Sequence, residues 1–262
     1  MAPFPQLARA VWSRGALNIR ALLGGVGLAV FAFGTRAAEP HPPVHPDVGQ
    51  RYVPADVDWL NPVYVATFER PADLSNWKLE GGTRMGIADG RLVLESTLNG
   101  PELKDTSNHL GCWLTQELPA DFLLGFQIRP LDRRTGLNIV FFSARGIHGE
   151  STFDPVLQPR TGLFAEYHSG DLNNYHISYL AGERGTANVR KNAGFRWVAT
   201  GKDLVVLAPA DAFQIVRLYK RGGRIRLTVD DVIEAAFDDD GMKKSLSPMK
   251  KSLSPDLQGT YA

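Results

Sequence analysis

Apolar and polar side chains alternate in short runs from about residue 59 onward, which is typical of β-strands with one solvent-exposed face. In Arg224–Val229, polar residues at even positions alternate with apolar residues at odd positions. Asp230 and Asp231 then supply a two-residue turn into Val232–Phe237, so this stretch predicts a β-hairpin. Further predicted strands are Val63–Phe68, Arg91–Glu95, Cys112–Glu117, Phe122–Arg129, Leu137–Ala144, Asn174–Leu180, Thr186–Arg190 and Phe213–Lys220.

The number and length of these segments indicate the class of fold. Some ten short strands, separated by turn signals such as Ala88–Arg91, and the lack of a long amphipathic pattern predict an all-β chain. We therefore expect a two-sheet antiparallel sandwich of the jelly-roll type over residues 56–241. A segment of this length is enough for one sizeable core without disulfides.

The first 37 residues differ in composition from the rest of the chain. Three arginines and no acidic residue precede an apolar run, Ala21–Phe33, and Thr35–Ala37 offers small residues around a cleavage site. We expect residues 1–37 to be a signal peptide and the mature chain to be exported to the periplasm or the exterior. Because the run is shorter than the roughly 20 residues of a membrane span, an uncleaved anchor is the lesser alternative.

The charge balance excludes one class of partner. The chain carries 29 Lys and Arg and 28 Asp and Glu. All of the acidic residues but only 25 of the basic ones follow residue 37, which leaves a net charge of −3 on the remaining chain. This lacks the basic surplus of a nucleic-acid-binding protein, so we expect no nucleic-acid partner and no membrane span in the mature chain.

Two polar segments flank the predicted domain. Residues 38–55 are rich in proline and histidine without any period, and we expect an extended, solvated linker. Residues 242–248 and 249–255 both read MKKSLSP, a polar, proline-broken tandem repeat. We expect residues 242–262 to be a disordered tail.

Metal and cofactor signals are weak. The single cysteine, Cys112, excludes an internal disulfide and thiolate metal sites, and its apolar neighbours suit a buried strand. The acidic run Asp238–Gly241 lacks the spacing of a calcium loop, so a structural calcium has no support in the sequence. Phosphate-binding, nucleophile-elbow and zinc-helix motifs are absent, and we expect neither a metal nor a cofactor.

The segment Arg160–Tyr179 carries the densest set of groups suited to sugar recognition. It contains two Tyr/His pairs, two carboxylates, several amides and hydroxyls, and a glycine turn. Aromatic faces cover the apolar side of a sugar ring, while the polar groups bond its hydroxyls. The segment therefore indicates a polysaccharide or oligosaccharide ligand.

A longer set of motifs resembles the YesU-like family of bacterial proteins of unknown function. The matching elements are Gly146-Ile147-x-Gly149-Glu150, Phe153–Pro155, Arg160–Gly162, Glu166–Asp171 and Asn188–Lys191. The resemblance covers about Trp59–Gly241 and implies a concanavalin-A-like jelly roll and a role in bacterial use of plant or algal polysaccharides. Family members continue into further C-terminal strands, whereas this chain has its repeats there, so we expect exposed strand edges and an apolar patch.

The favoured activity is that of a polysaccharide lyase acting on an acidic glycan. β-Elimination from a uronic acid needs a base for the C5 proton, an acid for the leaving oxygen and a group that neutralises the carboxylate. His176 suits the base, Tyr167 the acid, and Arg190 or Arg160 the carboxylate partner. The catalytic candidates are His176, Tyr167, His168 and Glu166, and a structural hydrogen bond is the alternative role for either histidine.

Alternation within the predicted strands places the substrate-binding candidates. His176 and Arg190 are expected to project into one water-filled trough if their strands are neighbours. Gln127 and Arg129 are expected to add a third row to that trough. The substrate-binding candidates are Arg160, Arg190, Asn174, Asn188, Ser178, Gln127 and Arg129.

Two other functions fit the same residues. A glycoside hydrolase needs two carboxylates about 5–5.5 Å or 6.5–9.5 Å apart, for which Glu150 and Glu166 are the candidates. It ranks below the lyase because the Glu-x-Asp-x-x-Glu strand motif of laminarinase-type enzymes is absent. A non-catalytic, lectin-like carbohydrate-binding module uses the same aromatics and amides without a base. The sugar, the linkage and the oligomeric state stay open.

Overall fold

The computed structural model describes residues 41–96, 109–129, 138–179, 185–204 and 212–240. These residues form an all-β fold of antiparallel sheets with one short helix, α1 (Phe164–His168), and a 3-10 turn, Pro71–Leu74. The predicted fold class is confirmed. The predicted signal peptide and the predicted C-terminal tail lie outside the described residues. Within the described ranges, no helix has the length and apolar content needed to cross a bilayer.

Two four-stranded sheets and two smaller strand pairs make up the fold. The strands are β1 (Trp77–Gly81), β2 (Arg84–Ala88), β3 (Arg91–Glu95), β4 (Leu110–Leu114), β5 (Phe122–Ile128), β6 (Asn138–Gly146), β7 (Leu172–Tyr179), β8 (Asn188–Asn192), β9 (Arg196–Thr200), β10 (Gln214–Arg221), β11 (Arg224–Val229) and β12 (Val232–Asp238). One large sheet has the order β6-β7-β8-β9 and the other β12-β11-β10-β5, while β1 pairs with β4 and β2 with β3.

The core lies between the two four-stranded sheets. Tyr175, Ile177 and Tyr179 of β7 pack in one buried cluster with Leu218 and Leu227 of the opposite sheet. Each fully buried aliphatic side chain contributes about 1.5–3 kcal/mol to folding. Because side chains alternate along a strand, the even-numbered residues of β7 point to the other face, which we call the outer face of the β6–β9 sheet.

Most of the predicted strands are confirmed to within a few residues. Arg91–Glu95 and Arg224–Val229 match β3 and β11 at both ends. Asp230 and Asp231 have φ angles of 49° and 67°, as the predicted two-residue hairpin turn requires. The strand predicted at Val63–Phe68 is wrong, since no strand is formed there.

The predicted linker is not a solvated spacer over its whole length. Residues 41–52, which we call the N-terminal strap, bridge the edges of both large sheets through the isolated pairs Val44 with Thr200 of β9 and Arg51 with Val232 of β12. Backbone hydrogen bonds of 2.8 and 2.9 Å join Gly49 and Gln50 of the strap to Ile233. The strap is therefore attached to strands of both large sheets.

Side-chain contacts fix the strap further. Arg226 of β11 is buried and bonds Asp47 of the strap at 2.8 Å and Asp238 at 2.7 Å. His45 contacts Asp238 at 3.2 Å, and the Thr200 hydroxyl donates to the carbonyl of Pro42 at 2.6 Å. The strap is thus part of the folded domain and closes the β9–β12 side of the sandwich.

Candidate functional site

A row of four side chains crosses the outer face of the β6–β9 sheet. Cross-strand pairing aligns Phe141 of β6 with His176 of β7, His176 with Arg190 of β8, and Arg190 with Trp197 of β9. A register shift in the pairing of β8 with β9, just before Arg190, sets Trp197 opposite it. The expectation that His176 and Arg190 share a face of neighbouring strands is confirmed.

The centre of this row is covered. His176 is only 2% exposed, and the rings of Phe141, Phe164 and Phe195 lie 5.4, 5.7 and 5.7 Å from its own. Its Nδ1 atom lies 2.8 Å from the side-chain nitrogen of Asn192. The prediction of a water-filled trough at His176 is therefore wrong, because aromatic side chains from β6, α1 and the β8–β9 turn close over it.

The other polar residues of this face also point into covered space. Asn174, Ser178 and Asn188 are buried. Asn174 donates a hydrogen bond of 2.8 Å to the carbonyl of Tyr167 and accepts one of 2.7 Å from Asn192. These bonds hold α1 and β8 against β7, so the three predicted ligand-binding side chains offer no open polar surface.

Arg160 and Tyr167 belong to a buried cluster around Glu80, a residue that sequence reasoning did not single out. Arg160 donates two hydrogen bonds to the Glu80 carboxylate, of 2.9 and 2.8 Å. Trp113 and Tyr167 donate to the same carboxylate at 3.0 and 3.1 Å. The side chains of Arg160 and Glu80 are 5% and 2% exposed, so the ion pair is enclosed on all sides.

The same cluster determines the chemistry of Tyr167. Burial, and then the charge of the Glu80 carboxylate, raise the pKa of the Tyr167 hydroxyl far above its ordinary value. The hydroxyl is committed to Glu80 and Tyr167 is 2% exposed. In this arrangement Arg160 and Tyr167 stabilise the fold and do not reach a polysaccharide.

The two carboxylates proposed for hydrolysis hold turns. Glu166 accepts hydrogen bonds of 2.7 and 2.9 Å from the backbone nitrogen and the hydroxyl of Thr161. Glu150 accepts a hydrogen bond of 2.9 Å from the backbone nitrogen of His148. Both carboxylates therefore accept hydrogen bonds from residues close to them in the chain, as acidic side chains in turns often do.

Gln127 and Arg129 lie apart from the rest of the predicted site. Gln127 lies near the end of β5, in the other large sheet, and Arg129 is the first residue after that strand. Phe126 and Ile128 pack against the core, so alternation turns Gln127 and Arg129 to the opposite surface of the sandwich. The predicted third row beside His176 is therefore wrong.

One end of the outer-face row is open, and we call it the aromatic shelf: His41, His168, Arg190, Phe195 and Trp197. The Arg190 guanidinium lies 4.0 Å from the ring centre of Phe195 and 4.9 Å from that of Trp197. His41 of the strap packs on Trp197 at 4.3 Å, and His168 of α1 packs on Phe195 at 4.2 Å. All five side chains are partly or largely exposed to solvent.

Hydrogen bonds fix the orientation of the shelf. Arg190 donates to the carbonyl of Phe195 at 2.7 Å, and the Trp197 indole donates to the carbonyl of Ala199 at 2.8 Å. Phe195 has a φ of 54°, a left-handed conformation that is uncommon for a bulky residue. The turn between β8 and β9 therefore places the Phe195 ring over Arg190 at a conformational cost, which is frequent at binding sites.

The surroundings of His168 shift the titration of its imidazole. Burial, together with the positive charge of Arg190, lowers the pKa of its imidazole below the ordinary value, against an opposing backbone hydrogen bond. Its Nδ1 atom lies 2.5 Å from the Ser169 hydroxyl. The imidazole is therefore neutral at pH 7, and it is more accessible than that of His176.

A large apolar groove lies beside β3, β4, β5 and β6. It has a volume of about 2090 Å³, compared with roughly 300–1,000 Å³ for common ligand pockets. Its walls come from β3, β4 and the edges of β5 and β6, and include Leu94, Leu110, Cys112, Phe126, Ile139 and Phe141. Among the described strands, β5 pairs only with β10 and β6 only with β7, so each presents an unpaired edge.

No group of three or more His, Cys, Asp or Glu side chains suited to holding a metal ion occurs in the described part of the chain.

The fold and the outer-face row define an antiparallel β-sandwich of the galectin-like and jelly-roll class. A crystal structure from Bacillus subtilis, described as a protein of unknown function with a galectin-like fold, matches with a TM-score of 0.64 and 29% identity, covering 76% of this chain and 86% of that chain. SCLam, a non-specific endo-β-1,3(4)-glucanase of family GH16, matches with a TM-score of 0.51 and 12% identity over 83% of each chain, a likeness of fold alone.

The chain belongs to the family described as a domain of unknown function, DUF1961, whose model matches residues 61–252. The uncharacterized protein YesU of Bacillus subtilis (strain 168) is 34% identical over 177 residues, which are 65% of this chain and 77% of the relative. The resemblance seen in the sequence motifs is thereby confirmed.

Proposed function

We propose that this protein binds carbohydrate on the aromatic shelf, as an exported, lectin-like module. The observation that carries the proposal is the pair of partly exposed rings, Phe195 and Trp197, held on either side of Arg190. Aromatic faces next to polar donors match a sugar ring, which has an apolar face and a polar rim.

The surroundings of the shelf support this proposal. The rings are fixed by hydrogen bonds to Ala199 and by the β8–β9 turn, so little side-chain entropy is lost when a ligand binds. Imidazoles from two other elements, His41 of the strap and His168 of α1, border the rings. The fold similarity to the endo-β-1,3(4)-glucanase agrees with a polysaccharide ligand but carries less weight than the shelf.

A lyase is the second candidate function, with His168 rather than His176 as the base. His176 is covered, whereas His168 lies on the shelf, is neutral at pH 7 and contacts the ring that Arg190 also contacts. Arg190 would then neutralise the uronate carboxylate while His168 removes the C5 proton. The C4–O bond breaks as the C4–C5 double bond forms, and the leaving oxygen takes its proton from water. The hydrolase alternative receives no such support, since Glu150 and Glu166 are engaged in turns.

Binding to a panel of neutral and acidic polysaccharides tests the proposal. Affinity electrophoresis and isothermal titration with the full chain should show binding that Trp197→Ala reduces about five- to tenfold, because stacking of a ligand ring contributes on the order of 1–1.5 kcal/mol. Trp59→Ala is the matched control, since Trp59 is 51% exposed at a separate place on the surface. Thermal unfolding of each variant verifies that it folds.

The two candidate functions differ in one readout. Formation of an unsaturated product, followed by its ultraviolet absorbance and lost in His168→Ala, establishes the lyase. Binding of a glycan without formation of the unsaturated product establishes the non-catalytic carbohydrate-binding module. If no glycan in the panel binds, or if Trp59→Ala weakens binding as much as Trp197→Ala, the shelf is not a carbohydrate site.

A further inference from the structure

Two guanidinium groups share one phenylalanine ring where β5 ends and β10 begins. The central guanidinium carbons of Arg91 and Arg129 each lie 4.8 Å from the centre of the Phe213 ring. Both arginines are exposed to solvent, whereas Phe213 is half-buried. We call these three residues the Arg–Phe–Arg cluster.

Strand register brings the cluster together from three separate parts of the chain. Ile128 of β5 pairs with Gln214 of β10. Arg129 and Phe213 are the next residues outward on these two strands, so they are neighbours across the antiparallel pair. Arg91 comes from another element, as the first residue of β3 after the Asp-Gly turn of the β2–β3 hairpin. The ring therefore connects this hairpin to the large sheet.

Neither guanidinium of the cluster forms an ion pair with a carboxylate in the described ranges of the chain. Arg91 donates a hydrogen bond of 2.9 Å to the backbone carbonyl of Asp89, a group without formal charge. The contact of Arg129 is with the shared ring. By comparison, Arg84 of the same hairpin pairs with Glu95 at 3.2 Å. The cluster thus presents two positive charges to solvent.

The spacing of these charges favours a ligand with more than one anionic group. Because both guanidiniums lie 4.8 Å from one ring centre, their charges are separated by less than one Debye length, roughly 10 Å at 0.1 M salt. Like charges at this distance repel each other, and a bound anion offsets the repulsion. Cation–π contact orients both guanidiniums before a ligand arrives. Each then offers parallel N–H donors that match a carboxylate or a sulfate.

The surface around the cluster also suits a sugar chain. All three residues of the cluster line the apolar groove. Gln127, which is exposed, lies two residues before Arg129 and therefore on the same face of the sheet. Its amide can donate to and accept from hydroxyl groups. Cations, an amide and an apolar wall together match a polymer that carries hydroxyls, oxyanions and apolar ring faces.

We propose that the Arg–Phe–Arg cluster binds an anionic polysaccharide, in which Arg91 and Arg129 each bind one carboxylate or sulfate group. The choice of a polysaccharide over another polyanion rests on the proposed function. It agrees with the net charge of −3 after residue 37, which lacks the basic surplus of a nucleic-acid-binding protein. The site is separate from the aromatic shelf, because β5 and β10 belong to the other large sheet.

Pairs of polymers that differ in charge test this site. The full chain is titrated calorimetrically at low ionic strength with polygalacturonate and its methyl ester, and with dextran sulfate and dextran. We expect the anionic member of at least one pair to bind about tenfold tighter than its neutral partner, since two exposed charge contacts contribute about threefold each. Raising the salt concentration should reduce this ratio. The pair that shows the preference identifies the anion as carboxylate or sulfate.

Substitutions assign the preference to the cluster. Arg91→Gln and Arg129→Gln should each lower the anionic-to-neutral ratio about threefold, and the double variant about tenfold. Arg129→Lys should retain part of the preference, because lysine keeps the charge but lacks the planar donors. Arg224→Gln is the matched control and should leave the ratio unchanged, since Arg224 is an exposed arginine that lies 5.8 Å from a different ring, that of Tyr52. Thermal unfolding verifies that each variant is folded.

Each contrary result has a definite meaning. An unchanged ratio in the folded double variant, or an equal loss in Arg224→Gln, overturns the role of the cluster. Equal affinity for charged and neutral polymers overturns it as well and leaves the shelf as a carbohydrate site. Binding of a DNA oligonucleotide that equals that of the polysaccharides and is lost in the double variant overturns the choice of ligand.

Trp197→Ala separates this proposal from the proposed function. If both hold, this variant weakens binding of both members of a pair and leaves their ratio unchanged. A preference for anionic polymers that depends on Arg91 and Arg129, together with no effect of Trp197→Ala on either polymer, overturns the shelf and supports the cluster. Absence of binding to every polymer overturns both.

Discussion

Glu80 accepts hydrogen bonds from three different side chains inside the protein, and its charge is balanced by the buried Arg160 at 2.8 Å and by the exposed Lys78 at 3.7 Å. Charges in such surroundings are tolerated only when they are paired and fully hydrogen-bonded. The cluster also joins β1, β4 and α1, since Glu80, Trp113 and Tyr167 lie on these elements. Its residues therefore hold together segments that are far apart in the chain.

The first prediction concerns this ion pair. Arg160→Met leaves the buried Glu80 carboxylate with only the exposed Lys78 ammonium, 3.7 Å away, as a counter-ion. We expect a loss of about 3–5 kcal/mol of unfolding free energy, measured by urea denaturation. Lys78→Met is the matched control, because Lys78 is 52% exposed and 3.7 Å from Glu80, and it should cost less than about 1 kcal/mol. A folded Arg160→Met chain of normal stability that loses glycan binding would show instead that Arg160 acts on a ligand.

At the residue scale, the sequence predicted the shared face of His176 and Arg190 but not the buried position of Glu80. It placed His176 and Arg190 on one face because alternation and strand pairing are local properties. It missed Glu80, since in Trp-Lys-Leu-Glu the glutamate falls on the polar positions of an alternating strand, which normally face water. Burial of that face depends on Arg160 and Tyr167, which lie 80 and 87 residues away.

At the scale of elements, the N-terminal strap covers one side of the sandwich. It contacts β9 and β12, the outermost strands of the two large sheets on one side. Unpaired strand edges invite pairing with other chains, and a covering segment prevents it. The strap also brings His41 onto Trp197, so the shelf contains one residue supplied by the strap.

The second prediction tests the strap through its ion pair. Asp47→Asn removes the charge that faces Arg226 while Asp238 stays in place, and we expect a loss of about 1–3 kcal/mol of unfolding free energy. Hydrogen exchange should accelerate at Gly49, whose amide bonds the carbonyl of Ile233. Asp58→Asn is the control, since Asp58 forms hydrogen bonds with its near neighbours in the chain. Unchanged exchange at Gly49 in Asp47→Asn would contradict a role of this ion pair in holding the strap.

The pH dependence of the strap follows from Asp238. Hydrogen bonds from Arg226, followed in size by the charge of that arginine, lower the pKa of Asp238 below its ordinary value despite some burial. The stabilisation is thus complete above the ordinary pKa of an aspartate and is lost as the pH falls through the lowered one. The strap should therefore release more readily in acid than at neutral pH.

Turn chemistry and alternation account for most of the elements that were predicted correctly. Asp-Gly and Asp-Asp turns fixed the hairpins β2–β3 and β11–β12. The strap was missed because proline-rich sequences carry no periodicity, and its docking depends on backbone bonds to Asp231 and Ile233. β9 was missed because its short segment, Arg196–Thr200, does not alternate cleanly.

At the scale of the whole molecule, the two sides of the sandwich are unlike. The strap covers one side, whereas the described strands leave the groove along β5 and β6 open. Val63 and Val65, each 65% exposed, add to the apolar surface near this groove. The apolar patch expected from the altered C-terminal sequence stays a prediction, because residues 241–262 lie outside the described residues.

The third prediction uses Cys112, the single cysteine of the chain and part of the groove wall. Burial raises the pKa of its thiol to about 11, so the thiolate should be about 100-fold scarcer than in a free cysteine and alkylation at pH 8 correspondingly slow. An apolar fluorescent dye should bind the native chain and slow the reaction further. Leu94→Lys, at the groove wall, should weaken dye binding. Alkylation at the free-thiol rate would contradict this description.

Every residue of β7 is buried, on the core side and on the outer face alike. A strand enclosed on both sides leaves almost no room for amino-acid replacement, so its sequence is restrained by packing whatever the ligand. Three of the shelf residues, Phe195, His168 and His41, come from the β8–β9 turn, α1 and the strap, where replacements disturb packing less. Ligand preference can therefore diverge among relatives of this protein while the central strand stays nearly the same.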